Sequence, residues 1–583
     1  MTGLRDRLRG VPVEAIVVVA LVLLAALTRL PGLEERGRWD ADQAHDMLVL
    51  RSLVTEGEIP LLGPRTSIGT FHHGAVYYYL LAPAAIISGA DPVAVTGLIA
   101  LFGVGAVVGT WWLARLIGGP LAAAVAGLLA AVSPAGIDES TFIWNPNLIP
   151  VTAALAFAGV LRARHTGADR WWLLAGLGAM VTMQCHVLGA AIVPPLALAW
   201  GLELRRRLAA GTAGAIGAAG TAGVTGAAGV TGAAGTAVPA AVRPLVLAGA
   251  GAAAIIAAGY IPLVIHELQS GFSETRGILD YLAGGGRAAG NGLLETAAFV
   301  GLRSITWPLA GLVTDRPALS LAAALVAVVL AGVAALGGRG NDRAAVRWLL
   351  GSLAWSVLAL AVFAPSLATV VAGLPNDHYH AFLDPIVLAL AGVGAARLAG
   401  WRPERWRPVG SRPERWRPAG WRPAGGGLAG RMPGSAARAG AGVLVALLVA
   451  IGVSAWPPVV AEDGGWRLVD QASTRIAGRT GDVAVALDGI PPFKSADAFR
   501  FPLLRRGVAL LPGEADGPDG IAGAGMAVLV CDPLFDEVVG APCGGPAEDA
   551  WREALADGAN LRLVDRFDAG PRRVISVYAA DVP

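Results

Sequence analysis

Three carboxylates fall within seven residues near the start of the chain, in Trp39-Asp40-Ala41-Asp42-Gln43-Ala44-His45-Asp46. If a helix begins there, the four-residue spacing puts Asp42 and Asp46 on one face. Like charges that close raise one pKa toward that of a working base. Further acid–base and hydrogen-bonding groups recur in short polar islands between apolar runs. These are Phe71-His72-His73-Gly74 with Tyr77-Tyr78-Tyr79; Asp138-Glu139 with Trp144-Asn145-Pro146-Asn147; Gln184-Cys185-His186; His266-Glu267 with Arg276; and Asn376-Asp377-His378-Tyr379-His380. Every histidine but His165 lies in or beside one of them. Together they offer a carboxylate to take a hydroxyl proton, donors to hold a phosphate leaving group, and aromatic faces to stack on a ring. Those are the needs of sugar transfer. Plainer readings exist for each: solvated loop aspartates, an interfacial tyrosine belt, and Asn145-Pro146 as a helix cap. Mixed Asp and His would accept a divalent cation, but no spacing here matches a ligand set, and no metal is expected.

Such islands need elements to carry them. Hydrophobic residues make up 55% of the 583-residue chain, with 79 glycines besides, and 15% are charged, where about 25% is usual in soluble domains. That excludes a soluble globule, a disordered chain and a disulfide-rich secreted module. A net charge of +2 implies no general attraction to nucleic acid. Apolar runs suited to crossing a bilayer fall at 11–30, 93–116, 119–136, 148–163, 171–186, 187–204, 244–265, 316–337, 344–368, 381–399 and 440–457. About eleven crossings make an α-helical polytopic membrane protein with its N-terminus cytoplasmic and its C-terminus outside. No cleavage site follows the first run, which reads as an uncleaved anchor.

The arginines agree with this count. Arg115, Arg162, Arg164, Arg170, Arg205, Arg206, Arg207, Arg243, Arg339, Arg343, Arg347 and the run from Arg397 to Arg438 all fall on its cytoplasmic side. The short outer loops near 137–147, 184–188 and 370–380 carry none, which is the positive-inside bias. The apolar segment Ala75–Ala90 must then lie along the outer surface and not cross. Low-complexity stretches at 206–243 and 400–439, with Gly-Ala-Thr and Trp-Arg-Pro repeats, read as cytoplasmic linkers. Residues 1–457 thus form the transmembrane domain, with 31–92 its first outer loop and juxtamembrane helices. Alternating apolar runs at Val483–Leu487, Met526–Val530 and Leu561–Val564, with the helix-like Glu548–Ala556, predict a small extracytoplasmic α/β domain over 458–583. Cys531 and Cys543 could pair in such a domain, whereas Cys185 reads as an apolar filler.

Asp42-Gln43, Arg51, Gly57, Gly63-Pro64 and His73-Gly74 with Tyr77-Tyr78-Tyr79 resemble the N-terminal signature of family 39-type glycosyltransferases. These are membrane enzymes of the GT-C fold, similar to protein O-mannosyltransferases and the lipid A aminoarabinose transferase. The resemblance covers roughly residues 10–400. It implies a polyprenyl-phosphate-linked sugar donor and transfer at the outer face of the plasma membrane, with inversion at the anomeric carbon. The acceptor would be a hydroxyl on a protein, lipid or cell-wall glycan. The family's catalytic aspartate maps onto Asp42, its second-loop acid onto Asp138 or Glu139, and its phosphate-contacting lysine onto His73. Gln43 stands where the family has a glutamate. A histidine is charged at neutral pH only if its pKa is raised, so Arg276 would share the phosphate. The resulting expectation makes Asp42 the base. Substrate would be lined by Asp40, Asp46, His72, His73, Tyr78, Asp138, Glu139, Trp144, Asn145, Gln184, His186, Glu267, Arg276, His378 and Tyr379. The competing reading is a transporter or flippase of lipid-linked saccharides. It calls for charged or helix-breaking positions at mid-membrane and two matching halves; the sequence shows no halves, and its acids gather at one face.

Overall fold

The structure, a computed structural model, describes residues 12–66, 70–222, 242–283, 292–369, 376–400, 434–491, 496–512, 523–532, 542–555, 560–570 and 573–581. The Trp-Arg-Pro repeat, residues 223–241 of the Gly-Ala-Thr stretch and loop residues 370–375 lie outside them.

The chain builds a helical bundle with a small sheet domain seated on one end. Among the described residues, seven helices are long and apolar enough to cross a membrane, and a bent pair, Arg243–Gly259 with Ile261–Ser270, offers an eighth. The longest, Pro92–Ala131, is interrupted at Gly119. Its φ of +78° suits glycine, and Pro120 follows it. The sequence predicts two crossings there, and the break separates them. α1 (Val13–Arg29) and the helix Arg170–Cys185, at 17 and 16 residues, match two more predicted runs but fall just short of that length. Val76–Ser88 has 13 residues, a rise of about 20 Å against a hydrocarbon core of about 30 Å. It is too short to cross upright, in line with the surface reading.

The sequence reading contains no counterpart of the helix Leu293–Ala310, because Glu295 and Arg303 interrupt its apolar character. Arg303 bonds into the loop before the helix Asp384–Leu398, which is buried on all sides over residues 384–396. A Cβ on Gly392 would come within 2.4 Å of the Ala122 carbonyl, so two helices meet there backbone to backbone through small residues.

The two ends of the bundle differ in chemistry. At one end Arg115 pairs with Glu14, and Arg207 with Asp169 at 2.7 Å. At the other end the polar islands meet. There the C-terminal domain forms a four-stranded sheet of order β3-β4-β6-β5, where β3 is Val485–Ile490, β4 Met526–Cys531, β5 Asn560–Asp568 and β6 Val574–Asp581; β1 (Leu62–Arg65) and β2 (His72–Gly74) form a separate antiparallel pair in the first loop. β3 and β4 run parallel, and every residue of both is buried, as expected for strands covered on two faces. One face packs Trp466, Val469, Phe499 and Phe501, and the other Trp551 and Tyr578. Cys531 and Cys543 form a disulfide with Cα atoms 5.4 Å apart.

Candidate active site

The first loop turns into α2 (Ala41–Thr55) at a built start. Asp40 is the N-cap: its Oδ1 accepts from the Asp42 N–H at 2.9 Å, and its own N–H donates to the Gln43 side chain at 2.9 Å. Such reciprocal bonds satisfy the free donors of a helix start. Asp42 sits half-buried in the first turn. Asp46, one turn further, is fully buried and accepts from the Tyr77 hydroxyl at 2.8 Å and the Tyr78 hydroxyl at 2.7 Å. Burial pushes its carboxyl up to about 8, with the two hydroxyls drawing it back and the neighbouring Asp42 and Asp40 charges adding to the rise. Asp46 is closed off under two tyrosines, one of which, Tyr78, is only 1% exposed. Tyr78 acts here as a hydroxyl donor within the protein, and its ring offers no open face for stacking.

Four more segments meet the first loop. Gln43 donates to the Ile143 carbonyl at 2.9 Å. Arg38 lies 3.6 Å from Asp138 and its guanidinium stacks over Phe142. Asn145 donates to the Cys185 carbonyl, and Gln184 lies so close to Gly74 that any Cβ there would strike its amide. His73 accepts from the Val187 N–H at 3.3 Å. From there a row of aromatic rings runs on: His73 to His186 at 4.7 Å, His186 to Tyr379 at 4.7 Å, and His378 to Trp144 at 4.2 Å. Arg303 closes the far side with bonds to Asn376 Oδ1 at 2.6 Å and Asp377 Oδ1 at 2.9 Å.

Between these segments lies a small cavity, with room for about one water molecule, bordered by Arg38, Asp138, Glu139, Trp144, Trp307, Asp377 and His378. Trp307 Nε1, His378 Nδ1 and Glu139 Oε2 are buried without a protein partner among the described residues. Burial pushes the Glu139 carboxyl up to about 8, helped by the Asp138 and Asp377 charges and opposed by Arg38. Glu139 also borders a second cavity with Arg29, Asn147 and Asp384. Asn147 Oδ1 and Asp384 Oδ1 lack protein partners there too; these oxygens suit water or a hard cation. Two aromatic rings, unpaired donors and a carboxyl are the kinds of group that bind a hydroxyl-bearing ring, although the cavity as it stands has room for about one water.

Not every candidate joins the cluster. His72 is tied through its N–H to Glu274 at 2.6 Å and through Nδ1 at 3.1 Å. Glu267 accepts from the N–H groups of Glu274 and Thr275, at the start of the helix Ser273–Ala283. Arg276 is exposed on that helix and donates to the Phe272 carbonyl. Burial, with His186 and His72 nearby, holds the His73 imidazole well below its usual value, so it is neutral at pH 7. Asp42 does not border the cavity itself; its neighbour Gln43 is bonded beside Trp144. Sequence reasoning missed Arg38, Arg303 and Trp307. A lone arginine inside an apolar run was the available signal for Arg303.

No known family matches the sequence, and no curated protein does. Solved structures do match in shape. ArnT from Cupriavidus metallidurans in the apo state superposes with a TM-score of 0.55 at 14% identity, covering 96% of this chain and 97% of that one. The same protein bound to undecaprenyl phosphate gives 0.56 at 14% identity over the same shares. The match extends across the bundle and the C-terminal domain alike, and the chain has the GT-C fold of ArnT.

Proposed function

We propose that this chain is an integral-membrane glycosyltransferase that moves a sugar from a polyprenyl-phosphate carrier to an acceptor hydroxyl. One observation carries the reading most: charged and aromatic residues of four separate segments (Arg38, Asp138–Trp144, Trp307 and Asp377–His378) border one cavity, at the end of the bundle where α2 presents Asp42. The fold adds support, since its relative ArnT has been seen with undecaprenyl phosphate bound. A lipid-borne donor suits a site at a bundle end, where a prenyl chain stays in hydrocarbon and its headgroup reaches water.

In this mechanism Asp42 takes the proton from the acceptor hydroxyl as its oxygen attacks the anomeric carbon, with inversion. The bond to the carrier phosphate breaks and the phosphate leaves with its negative charge. Arg38 is the cation best placed to meet that charge, since it borders the cavity and its side chain is 38% exposed beside Asp138. His73 is buried and neutral, and Arg276 faces solvent, so neither suits the task. Trp144 and Trp307 would flank the sugar.

The test uses purified protein in lipid with a panel of labelled polyprenyl-phosphate sugars and follows release of polyprenyl phosphate. Asp42→Asn is expected to lower turnover by about 10²–10⁴-fold, the usual contribution of a positioned base, with membrane insertion unchanged. Full turnover in that variant would remove Asp42 as the base. Absence of release from every donor by the unaltered protein would remove the glycosyltransferase reading.

A further inference from the structure

Three residues before Asp42, every hydrogen-bonding group of Trp39 ends in the C-terminal domain. Its N–H donates to Asp463 Oδ2 at 2.7 Å, its carbonyl accepts from Arg573 at 3.2 Å, and its indole N–H donates to the Ala498 carbonyl at 2.8 Å. Its ring packs 4.4 Å from that of Trp466. Arg573 is anchored in turn on Asp532 Oδ2 at 2.8 Å, and Asp463 holds the Gly465 N–H at 3.0 Å. Arg573, Asp463 and Asp532 are all buried. Buried ions are a poor way to gain stability, because apolar residues of similar volume often serve as well or better. What ions with fixed hydrogen bonds do supply is one orientation. The Trp39 N–H and carbonyl belong to successive peptide groups, so these bonds fix the backbone on both sides of Trp39; the Trp39–Asp40 peptide is held at its carbonyl by Arg573 and at its N–H by Gln43, and the cap residue Asp40 follows directly.

We propose that Arg573 and Asp463 are positioning residues, forming a clamp by which the C-terminal domain fixes the direction in which α2 starts and so the place of Asp42. The proposal rests on the reading of Asp42 as the base. A base displaced by about 1 Å loses on the order of 10²-fold in rate, so a clamp one turn away has leverage on the chemistry without touching substrate.

The experiment uses the full chain in lipid and two variants. Arg573→Lys keeps the charge but loses the fork that reaches Asp532 and Trp39 together. Asp463→Asn keeps the shape but has a single oxygen for the Trp39 and Gly465 N–H groups, and it carries the test if Arg573→Lys fails to fold. For each, kcat per folded molecule is expected to fall about ten-fold or more with the donor KM nearly unchanged, the pattern of an interaction made only in the transition state, and the rising limb of the kcat–pH profile should move. A purely structural contact would lower the yield and the melting midpoint alone. Amide hydrogen exchange over residues 40–46, which needs no activity, is expected to quicken by about ten-fold or more as the first turn opens locally. If the unaltered protein releases no polyprenyl phosphate while exchange quickens, the function assigned to the site falls and the clamp stands. Unchanged kcat, pH profile and exchange in the variant that folds would overturn the clamp.

Discussion

Arg303 and Arg573 are both buried guanidiniums at the edge of the site, 0% and 4% exposed, yet they hold its two sides by different means. Arg303 gathers Leu367, Thr369, Asn376 and Asp377, all from the one loop that leads to the helix Asp384–Leu398. Arg573 joins Asp532 in the C-terminal domain to Trp39 at the far end of the chain. The first is a staple within one folded unit. The second joins the bundle to the C-terminal domain at a place where their apolar cores run together through Trp39 and Trp466. A residue of the first kind should be needed for folding, and one of the second kind for register.

The largest effect is expected at Arg303. Arg303→Leu strands the Asp377 carboxylate in a buried site, a loss of about 3–5 kcal/mol for breaking such a pair, so little folded protein should be recovered in detergent. Arg303→Lys should not restore it, since lysine cannot serve four acceptors at once. A near-normal melting midpoint in either variant would break the contrast with Arg573→Lys, whose melting midpoint is expected to change far less.

The two sides should also answer differently to pH. Asp46, on the Asp42 side, has an ordinary carboxyl value of 3.8 that rises to about 8 on folding. Between those values the folded protein holds a proton that the unfolded chain has released. Its contribution to stability is therefore complete below about pH 4 and is lost progressively as the pH climbs to about 8. Melting midpoints measured from pH 5 to 8 should fall with pH more steeply in the unaltered protein than in Asp46→Asn. Equal slopes would show that Asp46 is charged in the fold.

Smaller effects sharpen the picture. Asp40→Ala removes the cap of α2 and should cost about 1 kcal/mol by thermal unfolding, with a turnover loss larger than that cost explains if the start of α2 sets the base. Trp307→Phe takes an unpaired N–H and part of a buried ring out of the cavity wall; the donor KM is expected to rise by about 2- to 10-fold, one net hydrogen bond, with a fall in melting midpoint from the lost ring volume. An unaltered KM would take the indole N–H out of substrate binding.

Much of this arrangement is legible in the sequence because a bilayer constrains it so strongly. Apolar runs and arginine placement separate the two ends of the bundle, and the segregation of His45, His72, His73, His186, His266 and His378 marks the end where the site forms. What pattern alone does not provide is the use made of each group. Asp40, Asp42 and Asp46 look equivalent in a seven-residue window, yet one caps a helix, one faces partly outward and one is sealed beneath tyrosines, because three-dimensional depth differs along a helix in ways that spacing does not record. Glu267 and Glu274 are likewise absorbed by backbone and histidine partners within their own neighbourhood. The helix Leu293–Ala310 escapes an apolar scan because its one arginine is satisfied by a loop more than sixty residues later. The role of Trp39 is invisible in sequence, since its partners lie over four hundred residues away.

Gln43 shows what its side chain type permits. Its amide oxygen receives a hydrogen from Asp40 while its amide nitrogen gives one to Ile143, a two-way rivet between the first and second loops. An acid at this position could give a hydrogen only while it remained protonated; once ionised, it would set two oxygens against each other. Gln43→Glu would therefore turn a permanent fastening into one that loosens as the medium becomes alkaline, and the amide spares the molecule that dependence.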